Sequence, residues 1–261
     1  MMTDSPKWAL ILGGSSGLGL ATALKLASHG YNLCILHRDR RSDMDDIESQ
    51  FKKIKSRGVQ LHAFNADATN PDKVKETLDA ISGILDNHKI KVLVHSIAKG
   101  NLKPMNSEDS SALNIQDFQL TINAMGISLY QWAKAILNKN LFAQDSRIIA
   151  FTSEGSSKAW EGYAAVSAAK ASLESIVRSM ALEFASQGIR VNCIQAGVTD
   201  TKSFRMIPGH DALKEQAARK NPFKRLTTPE DVANAVYLLT LDEAKWINGT
   251  LIKVDGGESL R

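Results

Sequence analysis

The sequence predicts an α/β fold: a Rossmann-type doubly wound sheet of about seven parallel strands with helices on both faces. Three observations carry this. Strand-like apolar runs alternate with helix-like segments from one end of the chain to the other. Several of the runs are continuous rather than alternating, as in strands covered on both faces. The first run, WALIL, empties into a glycine-rich turn that opens a helix.

Strands are expected at 8–12, 32–37, 60–65, 90–95, 147–152, 190–194 and 249–254. Helical patterns fill 17–29, 43–57, 71–87, 114–139, 161–187 and 229–240. Pro71 and Pro229 stand just inside two helix starts, behind the capping residues Asn70 and Thr228. Gly30 and Gly188 fall between a helix and a strand, where a helix ordinarily stops. No linker interrupts the pattern, so 1–261 reads as one domain. Residues 196–226 form a long stretch between a strand and a helix, a length that suits a substrate-binding loop.

Composition bounds the function. Of 261 residues, 43% are apolar and 23% charged, ordinary for a globular chain. No apolar run approaches a membrane span, and MMTDSPK lacks signal-peptide architecture. Cys34 and Cys193 sit in apolar stretches and read as small buried hydrophobes. The six histidines lack metal-ligand spacing, so no metal site is expected. A cytoplasmic protein without membrane or nucleic-acid partners follows, because its basic residues are spread rather than massed. The formal charge of +4 favours anionic ligands such as a phosphorylated cofactor or an acidic carrier protein.

Gly13, Gly17 and Gly19 follow the first strand, with Ser15, Ser16 and Leu18 between them. Glycine permits the tight turn and close backbone approach to a pyrophosphate, whose charge the following helix N-terminus favours. The second strand ends His37-Arg38. An arginine there pairs with the 2′-phosphate of NADPH. Asp39 leaves NADH open as the less favoured cofactor. Asp67, just past the third strand and before Ala68, is placed either to accept from an adenine amino group or to cap a helix.

With these stand Asn123 in TINAMG, Ser153 after the fifth strand, Lys170 in YAAVSAAK, IQAGVTDT at 194–201 and VDGG at 254–257. In this order they resemble the short-chain dehydrogenase/reductases across the whole chain. The resemblance implies that Asn123 holds a water, that Ser153 orients a substrate oxygen, and that Lys170 binds the nicotinamide ribose and lowers the pKa of a catalytic tyrosine. It implies cofactor contacts from Ser96, Ile97 and Ala98 and from Gly197, Val198 and Thr201, and a homotetramer. Leu12, HSIA at 95–98, Ala196 and Val166 depart from the usual pattern, Val166 standing where the tyrosine usually is. Tyr163, seven before Lys170, together with VHSIA and QAG, resembles the NADPH-dependent enoyl-acyl-carrier-protein reductases.

The spacing suits that chemistry. Four residues turn a helix by about 400° and seven by about 700°, so both keep tyrosine and lysine near one face, while the axial offset grows from about 6 Å to about 10.5 Å. A ketone oxygen lies about 1.2 Å from the carbon that takes hydride. In an enoyl thioester the charge appears on an oxygen three bonds from C3, so its donor must stand farther off. The expected reaction is reduction of trans-2-enoyl thioesters on acyl carrier protein or coenzyme A. The alternatives are a 3-oxoacyl or other carbonyl reductase, and an inactive cofactor-binding protein. Tyr130 and Lys134 have the usual four-residue spacing but precede the Ser153 strand, and read as a surface or packing pair. Phe204, Met206, Ile207 and Phe223 in the long loop either line an acyl pocket or pin the loop to the core.

Overall fold

The computed structural model describes residues 6–108 and 112–261. Residues 1–5, where the sequence lacks a leader pattern, and residues 109–111 lie outside the described residues. In chain order the elements are β1 (Lys7–Leu12), α1 (Gly17–Ser28), β2 (Tyr31–His37), α2 (Met44–Lys55), β3 (Leu61–Asn65), α3 (Pro71–Leu85), β4 (Ile90–His95), α4 (Ile115–Ile122), α5 (Ser128–Asn138), β5 (Phe142–Ser153), α6 (Ala164–Glu183), β6 (Ile189–Ala196), α7 (His210–Lys220), α8 (Pro229–Thr240) and β7 (Leu251–Val254). All seven strands pair in parallel, in the order β3-β2-β1-β4-β5-β6-β7.

The period of two in each strand sorts its apolar side chains onto two faces. Leu10, Leu12, Leu93 and Ile148 pack with Leu78, Trp132 and Leu173 from α3, α5 and α6. Ala9, Ile11, Val92 and Ile149 pack with Leu26, Ile54 and Val236 from α1, α2 and α8. Both faces being covered is why the strands read as unbroken apolar runs. The chain crosses from β1 to β2 toward one edge of the sheet and from β4 to β5 toward the other, so a crevice opens where those two connections part.

The helix starts follow their sequence signals. Asn70 accepts from the amides of Asp72 and Lys73. Thr228 and Asp231 form a reciprocal capping box. Three expectations are corrected. The stretch 196–226 is not all loop, since α7 lies within it; only Ala217 of that helix is buried, so it carries no apolar stripe. The helix expected over 114–139 is interrupted by a π-helical turn at Asn123–Ile127. The helix expected from 161 begins at Ala164, because Gly162 adopts a left-handed φ of +70° that no helix continues through. Tyr130 and Lys134 are exposed on α5, in keeping with a surface pair. Cys34 and Cys193 are buried free thiols, and no helix among the described residues is long and apolar enough to cross a membrane.

Removing the Thr228 hydroxyl leaves the Asp231 amide, in the first turn of α8, without its acceptor. Thr228→Ala is expected to lower stability by about 1 kcal/mol, read as a lower urea midpoint at unchanged slope.

Candidate active site

Two cavities meet at the carboxyl ends of the strands. The larger, about 640 Å³, lies at the crevice. Gly13, Ser15, Ser16, Gly17 and Leu18 form one wall, and Ser96, Ile97 and Ala98 another. His37, Arg38, Asp67 and Ala68 line one end, and Lys170 and Thr201 also face it. Gly19 is not in the lining but packs beneath it. A Cβ on Gly19 would fall 2.1 Å from the Gly13 carbonyl oxygen, and one on Gly13, at φ +86°, 2.4 Å from that of Ser96. Only glycine allows β1 and β4 to release their chains this close together. Ser16 precedes α1 without capping it through its side chain, so first-turn amides of α1 are left to another acceptor. A dinucleotide pyrophosphate fits this cradle.

The far end is basic. His37 is buried and bonds Asp39 at 2.8 Å, which engages the carboxylate that a ribose diol would need. Arg38 meets Asp67 at 3.2 Å, and Lys99 meets the same oxygen at 3.3 Å. Burial pushes the Asp67 carboxyl up, but the hydrogen bonds from Thr69 and the Lys99 ammonium hold it down at about 2. Trp132 fixes the adjoining turn by donating to the Ala68 carbonyl at 2.9 Å. Arg40, Lys99 and Lys202 also line this cavity. Sequence reasoning missed all three, since they lie in loops without periodicity; the HRDRR run around Arg40 was the available signal.

The second cavity, about 460 Å³, is mostly apolar. Phe204, Met206 and Ile207 line it together with Leu102, Met125, Trp160, Val166 and Leu213. Phe223 does not: it is 76% exposed and belongs to a separate surface hollow beside Asn221 and Arg225. Gly197 and Val198 also face this second cavity rather than the first, and the Val198 amide donates to Glu258 at 3.1 Å.

Tyr163 stands where the two cavities join and lines both. It is the residue before α6, with φ −109° and ψ 0°. Its phenol lies 3.3 Å from Ser153 Oγ, and Trp160 packs edge-on against the ring. Burial pushes the phenol pKa up and the Ser153 contact partly offsets this, leaving the group a protonated donor. Ser153 lines only the apolar cavity and Lys170 only the polar one. The Lys170 ammonium donates to the Phe151 carbonyl at 2.8 Å. Burial pushes its pKa down to about 8, with the Glu174 carboxylate partly offsetting the drop. Val166 fills the wall of the apolar cavity, its methyl 3.0 Å from where a Cβ on Gly100 would lie. Asn123 lines neither cavity. It opens the π-helical turn, and its carbonyl accepts from the Ser128 amide.

A glycine cradle at the sheet crevice, joined to an apolar cavity through a serine–tyrosine pair with a buried lysine behind it, defines a nicotinamide-dependent oxidoreductase. The comparisons agree. The family model described as Enoyl-(Acyl carrier protein) reductase matches residues 13–259, and the chain belongs to the short-chain dehydrogenase/reductase family. It is 30% identical to the 3-oxoacyl-(acyl-carrier-protein) reductase of Staphylococcus epidermidis, covering 96% of this chain and 98% of that one. It is 28% identical to the NADPH-dependent aldehyde reductase-like protein, chloroplastic, of Arabidopsis thaliana, covering 95% and 93%. The crystal structure of the NADH enoyl-(acyl-carrier-protein) reductase of Aquifex aeolicus superposes with a TM-score of 0.82 at 25% identity, over 98% and 97% of the chains.

If the Lys170 ammonium holds the cofactor ribose, nicotinamide nucleotide affinity falls as pH rises through about 8. Fluorescence titration of NADPH across about pH 6 to 9.5 reads this; a flat profile contradicts it.

Proposed function

We propose that this protein reduces trans-2-enoyl thioesters, carried on acyl carrier protein or coenzyme A, with NADPH. The observation that carries the reading is the place of Tyr163: a buried phenol at the junction of the two cavities, beside Ser153, while the usual tyrosine position is the apolar Val166. NADPH, when bound in the glycine cradle, would supply the hydride for C3, and a proton taken up at C2 would complete the saturated thioester, leaving NADP⁺. Tyr163 donates a hydrogen bond to the thioester oxygen as it gains negative charge. Lys170 holds the ribose and keeps a positive charge behind the phenol, which favours donation. The apolar cavity takes the acyl chain and excludes water from it.

Reduction of a 3-oxoacyl thioester is the second reading. The Ser153–Tyr163 pair favours it, because two adjacent hydroxyls can serve one carbonyl oxygen. The 30% identical Staphylococcus relative favours it equally.

The preference for NADPH rests on charge. Asp39 is engaged by His37, whereas Arg38 and Arg40 line the cavity end that receives the adenosine. Assembly as a homotetramer in the cytoplasm completes the proposal; the 97% exposed Trp246 and 81% exposed Leu182 support burial against further copies of the chain.

Three outcomes test these statements. NADPH oxidation with crotonyl and acetoacetyl thioesters, side by side, is expected only with the first; turnover of acetoacetyl alone moves the assignment to the second reading. Tyr163→Phe is expected to lower kcat by about 100-fold or more with NADPH affinity nearly unchanged; unchanged turnover removes Tyr163 from the chemistry. Replacing Arg38 and Arg40 together by Ala is expected to weaken NADPH binding by about tenfold and leave NADH binding alone.

A further inference from the structure

His95, at the end of β4, is fully buried and lines neither cavity. Its Nε2 lies 2.8 Å from Ser128 Oγ. Ser128 spends its one proton on the Ala124 carbonyl at 2.7 Å, inside the π-helical turn. The serine oxygen therefore accepts from His95, which makes Nε2 the protonated nitrogen and leaves a lone pair on Nδ1. Nδ1 is buried and meets no hydrogen-bond partner among the described residues. A buried acceptor without a donor is costly and calls for a donor nearby.

The donor at hand is Lys170. In the sheet register His95 stands level with Ala150, and the next residue, Phe151, offers the carbonyl that holds the ammonium. That carbonyl takes one of three ammonium protons. We propose that His95 is a positioning residue that keeps Lys170 charged, its Nδ1 lone pair accepting from the ammonium across one bridging water. The inference rests on reading Lys170 as part of the cofactor site.

The surroundings suit a neutral imidazole in this place. Burial and the Lys170 charge push the His95 pKa down to about 3, with its own backbone carbonyl partly offsetting the drop, so the ring is neutral at working pH. The other groups around the ammonium are Glu174 on α6, Cys193 on β6 and Tyr163 ahead of α6. Glu174 is engaged by Thr152 at 2.6 Å. Burial pushes the Cys193 thiol up to about 12, so it carries no charge there. Among these side chains His95 alone presents an imidazole nitrogen lone pair, a stronger acceptor than the Cys193 thiol sulfur.

The test follows the ammonium itself, with ¹³C-ε-lysine NMR on the cofactor-free protein. Wild-type Lys170 is expected to titrate near 8. In His95→Phe the acceptor is gone and the titration moves to lower pH, and NADPH affinity at pH 8 falls about fivefold as the charged fraction shrinks. His95→Asn, which can both donate to Ser128 and offer an oxygen, restores both values. A purely structural role moves thermal stability in both variants and leaves the Lys170 titration where it was, which overturns the proposal. The ¹⁵N spectrum of the wild-type imidazole gives a check free of any variant: an unprotonated, hydrogen-bonded Nδ1 supports the proposal, and a protonated Nδ1 refutes it. Since the lysine titration needs no substrate or cofactor, absence of enoyl reduction defeats the functional reading while leaving this result to stand or fall alone.

Discussion

The hydrogen bond from the Lys170 ammonium to the Phe151 carbonyl ties the site to the sheet. A buried ammonium is unfavourable by itself, and burial draws its pKa to about 8. Its seat on a strand carbonyl fixes where positive charge enters the cofactor cavity. That position depends on α6 lying against β5 and β6, and so on the apolar packing of Leu173 and Val177 beneath it. Tyr163, one residue ahead of the same helix, packs in a smaller cluster with Ala124, Met125, Val166 and Ala169. Lysine faces the polar cavity and tyrosine the junction, because the chain bends at Gly162 rather than extending the helix backward.

The divided lining has a chemical consequence. Ser153 belongs to the apolar cavity and Lys170 to the polar one, with the phenol between them. A proton held on the phenol is thus available to a substrate oxygen on one side while charge stands behind it on the other. Val166, one turn into α6, closes the apolar wall against Gly100. In the proposed reaction the acid is Tyr163, set back from the usual position that Val166 occupies, and the oxygen it serves is set back as well.

Much of this was legible in the sequence because strong local rules agreed. Continuous apolar runs specified the strands, and the caps at Asn70 and Thr228 matched their helices. Glycines 13, 17 and 19 marked the cradle through a steric need that shows as directly in sequence as in space. The rest was hidden for definable reasons. The helix over His210–Lys220 has no apolar stripe. The π-helical turn at Asn123–Ile127 keeps helical dihedrals on either side and differs only in its hydrogen bonds. Phe223 shares the loop of Phe204 and Met206, yet the chain carries it to another surface. Arg40, Lys99 and Lys202 come together only at the cavity, and Lys99 and His95 meet Asp67 and Ser128 far away in sequence, which no spacing rule reports.

The account stands on one contact, between the phenol and a thioester oxygen. A crystal structure with NADP⁺ and a saturated acyl thioester measures it directly. The expected result is Tyr163 Oη within about 2.6–3.0 Å of the thioester oxygen, with Lys170 on the ribose. A thioester oxygen bound by Ser153 alone, with Tyr163 more than about 4 Å away, would contradict it.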